Sequence, residues 1–146
     1  MDVRNLRDDY FETMLRARKG YSRVMDPICQ QWDLTRNELD VILFLYNNPE
    51  FDRASDVAAR RGMAKSHVSL SVNTLESKGL LRRRMDSTDR RTVHLELLGD
   101  AVDIARQGKD AQRAFFGKIY AGLTIEEMAV WTRVVEKVSK NIAELD

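Results

Sequence analysis

The sequence predicts a mainly α-helical chain: a helix-turn-helix, then a basic two-stranded β hairpin, with long helices at both ends. Three observations predict this. Residues 60–97 read as a short amphipathic helix, a glycine break and two strand-like runs about a turn. Apolar residues recur at spacings of three and four over residues 5–31 and again from residue 99 onward. Thr35 with Glu38, and Thr124 with Glu127, have the spacing of capping boxes that start helices. At 146 residues the chain fits a single compact subunit.

Taken in order, the first helix spans residues 5–31. Leu6, Tyr10, Met14, Ala17, Tyr21, Val24 or Met25, and Ile28 form its apolar stripe, with Asp2 or Asn5 as its cap. Pro27 is expected to kink it or to start a separate turn. The second helix starts at Thr35, with Leu34 and Leu39 as a hydrophobic staple, buries Leu39, Ile42, Leu43, Leu45 and Tyr46, and stops at Asn47-Asn48-Pro49. Residues 54–61 form a third, short helix with Val57 and Ala58 inward; Gly62 ends it. A fourth runs over residues 64–77. Two short helices joined by a tight glycine turn make a helix-turn-helix.

In the fourth helix Val68, Val72 and Leu75 fall at i, i+4 and i+7 and define the buried stripe. Lys65, Ser66, His67, Ser69, Leu70 and Asn73 are left on the other side. Serine, asparagine and lysine there can meet base edges, and Leu70 a thymine methyl; the plainer reading is a solvated helix face. Gly79 ends this helix. Residues 80–85 and 90–97 then read as strands about Asp86-Ser87-Thr88-Asp89, with Val93, Leu95 and Leu97 on a buried face and His94 on the exposed one. Arg82, Arg83, Arg84, Arg90 and Arg91 crowd toward the tip, where phosphates would relieve their repulsion. Asp89 stands where it can hold the Arg91 guanidinium.

After the hairpin, residues 99–120 form a long helix whose middle, 106–113, is polar and expected to be exposed. A last helix, capped at Thr124, carries Met128, Trp131, Val134, Val135, Val138, Ile142 and Leu145. The apolar surplus at both ends reads as a dimer interface; packing within one subunit is the alternative.

Charge sharpens this picture. Residues 60–95 carry nine Lys/Arg and three Asp/Glu, a net of +6, whereas the whole chain is +1. A locally basic surface on a near-neutral chain suggests a polyanion met at one place, against the common alternative of a solvated charged face. The single cysteine, Cys29, excludes an internal disulfide and fits a reducing cytoplasm. It reads as a small buried hydrophobe, with a redox thiol activated by Arg23 or Arg36 as the sharper alternative. No apolar run approaches the roughly 20 residues of a membrane span, and the N-terminus lacks a secretory signal pattern. No cofactor or metal is expected: neither His67 nor His94 has a cysteine or carboxylate cluster at ligand spacing, and no phosphate loop or nucleophile elbow occurs. Catalytic residues are accordingly none, and the chain reads as a non-enzyme.

Two stretches carry a family resemblance: Leu75-Glu76-Ser77-Lys78-Gly79-Leu80-Leu81, and Asp86-Ser87-Thr88-Asp89-Arg90-Arg91-Thr92-Val93-His94-Leu95. With the order of elements, they make the chain resemble the MarR family of winged-helix transcription regulators over nearly its whole length. The resemblance implies a single subunit, residues 1–146, with a winged helix-turn-helix DNA-binding lobe over 32–98 and dimerisation helices over 1–31 and 99–146. It also implies a cytoplasmic homodimer, usually a repressor, on a pseudopalindromic double-stranded DNA operator. DNA contacts would come from Lys65, Ser66, His67, Ser69, Leu70 and Asn73 in the major groove and from Arg82, Arg84, Asp89, Arg90 and Arg91 in the wing. Arg91 would enter the minor groove and Asp89 would orient it. A small aromatic or phenolic effector is implied too; Arg16, Tyr21, Tyr46 and Phe116 are candidates to line its cleft, with plain core as their alternative role. A winged-helix module that binds protein instead of DNA is the competing function; it would need no arginine-rich tip.

Overall fold

The computed structural model describes residues 3–145, with side chains from Arg7 onward. Among the described residues the order is α1 (Val3–Trp32), α2 (Arg36–Asn47), α3 (Ala54–Arg61), α4 (Lys65–Ser77), β1 (Leu81–Met85), β2 (Val93–Leu97), α5 (Asp100–Ile119) and α6 (Ile125–Ala143). The chain divides into two compact units, one ending at Phe115 and one beginning at Phe116.

The first unit is built on α2. Its Leu39 and Val41 to Leu45 are all buried, so this helix is surrounded rather than amphipathic. Met25 and Ile28 of α1, Val57 of α3, Val68, Val72 and Leu75 of α4, Leu81 and Leu95 of the hairpin, and Ala101, Ile104 and Ala105 of α5 complete one core. Tyr46 is only half-buried, because its ring lies at the edge of that core.

Thr35 caps α2 as the spacing required: Glu38 N donates to Thr35 Oγ1 and Thr35 N to Glu38 Oε2. Both staple residues, Leu34 and Leu39, are buried. Glu38 itself is buried, which costs free energy unless the charge is matched. Lys78 Nζ, 3.5 Å from Glu38 Oε2, matches it and also donates to the Asp33 carbonyl. The end of α4 is thereby tied to the start of α2.

Gly62 ends α3 at φ 60, and Gly79 follows α4 at φ 71. Both φ values lie in the left-handed region that a Cβ disfavours. The hairpin then pairs antiparallel, Leu81 with Leu97 through Met85 with Val93. Leu95 N donates to the Asp52 carbonyl at 2.7 Å, so the chain before α3 pins β2 onto the core.

The elements differ from the sequence reading in several places. α1 runs through Pro27 to Trp32 as one helix, with Asn5 inside it; the Asp2 cap and the Leu6 side chain lie outside what is described. The apolar stripe of α1 is buried only near its C-terminal end; Tyr10, Phe11, Met14 and Leu15 are exposed. β2 begins at Val93, not at residue 90, because hydrogen bonds of the tip hold residues 86–92 in a longer turn. The polar middle of α5 is exposed at Arg106, Lys109, Asp110 and Arg113 only. Gly108 is buried, Gln107 accepts from Trp32 Nε1 at 3.2 Å, and Gln112 donates to the Tyr21 hydroxyl at 2.6 Å.

The second unit carries α6, capped by the box of Thr124 and Glu127. No residue of α6 is buried. No described helix is long and apolar enough to cross a membrane.

Candidate nucleic-acid interface

The site is assembled from α4, the hairpin and the turn before α3, all in the first unit. Val68, Ser71, Val72 and Leu75 are buried, which fixes the rotation of α4. Lys65, Ser66, His67, Ser69, Leu70 and Asn73 are then exposed together. Ser66, Ser69, Leu70 and Asn73 stand at i, i+3, i+4 and i+7, one stripe along the outer face. Leu70 is 65% exposed, a large apolar side chain with no core of its own to join. Ala64 occupies the N-cap without a side-chain bond, so the first amides of α4 carry no protein cap. A groove of about 340 Å³ lies between this face and the hairpin, with Lys65, Ser69 and Arg83 in its walls.

The five hairpin arginines divide into two kinds. Arg82 Nε donates to Glu96 Oε2 at 2.6 Å across the strands. That bond raises the Arg82 pKa and lowers that of Glu96. Arg83 reaches back to α4, donating to Glu76 Oε1 at 2.8 Å and Asn73 Oδ1 at 2.7 Å. Arg84, Arg90 and Arg91 are exposed and have no carboxylate partner among the described residues.

The tip is folded by its acids. Asp86 Oδ2 accepts from Thr88 N at 3.2 Å, Thr88 Oγ1 at 2.8 Å and Asp89 N at 3.0 Å. Asp89 accepts from Arg91 N and from Thr92 Oγ1, both at 3.0 Å. The carboxylate of Asp89 therefore holds the backbone of Arg91 and not its guanidinium, correcting the expected contact. An Asx turn satisfies the nearest amide first, and this leaves the Arg91 side chain outward.

His94 also departs from expectation. It is half-buried, with Nδ1 2.7 Å from Asp52 Oδ1 and Nε2 3.0 Å from Asp86 Oδ1. Its pKa is raised, first by the bond to Asp52 and then by that to Asp86, with Arg84 opposing. The Asp86 pKa is lowered, first by the Thr88 hydroxyl and then by His94. Sequence reading missed this clamp because Asp52 lies 42 residues from His94; only the Asp-x-Thr pattern at Asp86 is a local sign of it. Among the described residues no cluster of three or more ligands suits a metal.

The four effector candidates have different surroundings. Arg16 pairs with Glu12 on the exposed side of α1. Tyr21 packs on Phe115, with the Arg36 guanidinium 4.8 Å from its ring centre. Tyr46 borders a second groove of about 370 Å³, together with Asp52, Arg84 and His94. Phe116 stacks on Tyr120 in the second unit. Cys29 is half-buried and its pKa is raised, because burial and three nearby acids outweigh Arg36; that opposes the thiolate a redox role needs.

Comparison with known proteins agrees with this geometry. A family profile described as MarR family matches residues 32–92, from the end of α1 to the wing tip. Over this segment the chain is similar to the MarR family. Solved structures extend the likeness of fold over nearly all of the chain. A MarR-family transcriptional regulator from Silicibacter pomeroyi has 18% identity, covering 89% of this chain and 87% of that one at a TM-score of 0.75. Streptococcus pneumoniae FabT, solved in complex with DNA, has 23% identity, covering 97% and 99% at 0.71. The S. aureus MepR–DNA complex has 17% identity, covering 94% and 96% at 0.74.

Proposed function

We propose that this chain is a MarR-family regulator of transcription, a sequence-specific DNA-binding protein that acts as a homodimer in the cytoplasm. Residues 32–98 are the DNA-binding lobe, and residues 1–31 and 99–146 supply the dimer contacts. One observation carries the reading. Three exposed guanidinium groups, Arg84, Arg90 and Arg91, stand without carboxylate partners among the described residues, beside a helix face of short polar side chains. An acid-folded tip that spends its own carboxylates on backbone amides keeps those arginines free for phosphate. That FabT and MepR were solved on DNA supports the same reading.

In this reading α4 enters the major groove, where Ser66, His67, Ser69, Leu70 and Asn73 meet base edges. Lys65, Arg82, Arg84 and Arg90 follow the backbone, and Arg91 reaches the minor groove, where the potential is most negative. Asp89 acts by ordering the tip. A two-fold dimer would set two α4 helices about one duplex turn apart, roughly 34 Å, on a pseudopalindromic operator. Repression relieved by a small aromatic effector is the regulatory form we propose; the groove beside Tyr46 has the size for such a molecule.

The test is a mobility shift against the DNA upstream of the protein's own gene, repeated over salt. Log K should fall by about 0.9 per neutralised phosphate per log unit of salt. Arg91→Ala should weaken binding by about 1–3 kcal/mol. Affinity that ignores both salt and Arg91 overturns the proposal and favours a protein partner.

A further inference from the structure

The contact between Arg83 and Asn73 bears on which base α4 reads. Arg83 lies on β1; Asn73 and Glu76 lie on α4, one turn apart. The guanidinium spans the two, Nη2 to Asn73 Oδ1 at 2.7 Å and Nη1 to Glu76 Oε1 at 2.8 Å. A guanidinium has donors only, so the atom of Asn73 that faces it must be the carboxamide oxygen. Glu76 fixes the fork by its second nitrogen, and Arg83 in return neutralises a carboxylate that would repel the phosphate backbone. Asn73 is exposed, in line with Ser66, Ser69 and Leu70.

An unencumbered asparagine in the major groove pairs with adenine through both ends of its amide. The oxygen accepts from N6 while the nitrogen donates to N7. Here Arg83 already holds one of the oxygen's two lone pairs, and its positive charge beside that atom weakens it as an acceptor for N6, while both amide hydrogens stay available. We propose that Arg83 sets the base preference of Asn73, turning it from a bidentate adenine reader into a donor that selects the two acceptors of guanine. Resting on the DNA-binding reading above, the proposal makes Arg83 a positioning residue rather than a phosphate contact. Water expelled on complex formation lowers the local dielectric and strengthens the Asn73–Arg83–Glu76 chain at the moment it matters.

Selection of binding sites from randomised duplexes tests this with the full-length chain. Asn73→Ala should flatten the preference at one base pair of each half-site and so mark the position. The wild type should prefer G·C there, and Arg83→Met should shift the preference toward A·T by about tenfold, within the worth of one bidentate contact. Circular dichroism checks that the variant folds. If it does not, Arg83→Lys keeps a positive charge beside Glu76 while giving up the fork, and the same shift is expected. Adenine already preferred by the wild type, no position relaxed by Asn73→Ala, or an unchanged preference in a folded Arg83 variant each overturns the inference while leaving DNA binding intact. A wild type that enriches no sequence overturns the DNA-binding reading itself, and the inference with it.

Discussion

His94 has more hydrogen-bond acceptors than a neutral imidazole can serve. A neutral ring carries one N–H, yet carboxylate oxygens lie 2.7 Å from Nδ1 and 3.0 Å from Nε2. Both bonds exist together only when the ring is the imidazolium, and the raised pKa has this cause. Arg84, the cross-strand partner of His94, opposes it, and Glu96 is the other charge in the adjoining groove. The folded pKa is above the unfolded value of 6.5, so the stabilisation is fully present below about pH 6.5. It is lost as pH rises through the higher folded value. Asp86 works from the other side: its lowered pKa gives stability that is present above the ordinary carboxylate range and lost on strong acidification. The clamp is complete between those limits. Thermal unfolding followed from mildly acidic to mildly alkaline pH should therefore show a falling midpoint in the wild type and a flatter profile in His94→Gln. Equal slopes in the two proteins would remove His94 from the account of wing stability.

At the scale of elements, the close approach of α5 to α2 rests on one glycine. A Cβ placed on Gly108 would meet Leu43 Cδ2 at 2.5 Å, and Leu43 is buried with little room to withdraw. Gly108→Ala gains helix propensity of about 1 kcal/mol but overpacks the core at a cost of about 1–3 kcal/mol. Net destabilisation is expected, measurable as a lower urea midpoint with unchanged slope. A midpoint equal to or above that of wild type would mean that Leu43 yields freely. What the sequence discloses about such elements depends on range. The capping boxes at Thr35 and Thr124, the Val68-Val72-Leu75 stripe and the glycine ends of α3 and α4 are local patterns and are readable residue by residue. The bonds of Gln107 to Trp32, Arg83 to Asn73 and Asp52 to His94 join separate elements, so spacing along the chain carries no trace of them. The tip lies between these cases: its turn residues are legible, but the hydrogen bonds that extend the turn to Thr92 follow from how two aspartates share the available amides.

At the scale of the molecule, α6 presents an apolar stripe that its own unit leaves uncovered. Trp131, Val134, Val135, Val138 and Ile142 recur at helical spacing, and each remains between 43% and 54% exposed. Capping makes α6 a well-formed helix, so the stripe is held in register rather than frayed. An ordered row of apolar side chains in water is the signature of a surface that associates. In the proposed regulator the occupant is α6 and its neighbours from a second copy, since a two-fold operator needs two α4 helices held at fixed separation. A charge placed in that contact would have to be desolvated without a partner, at several kcal/mol. Val138→Asp should therefore sediment as a monomer at concentrations where the wild type is a dimer. Because each lobe then binds its half-site alone, operator affinity should fall by a factor of about a hundred or more through loss of the linked second contact. Far-ultraviolet circular dichroism should be little changed, since no residue of α6 is buried. A variant that stays dimeric would place the subunit contact elsewhere, and a monomeric wild type would leave the palindrome unexplained.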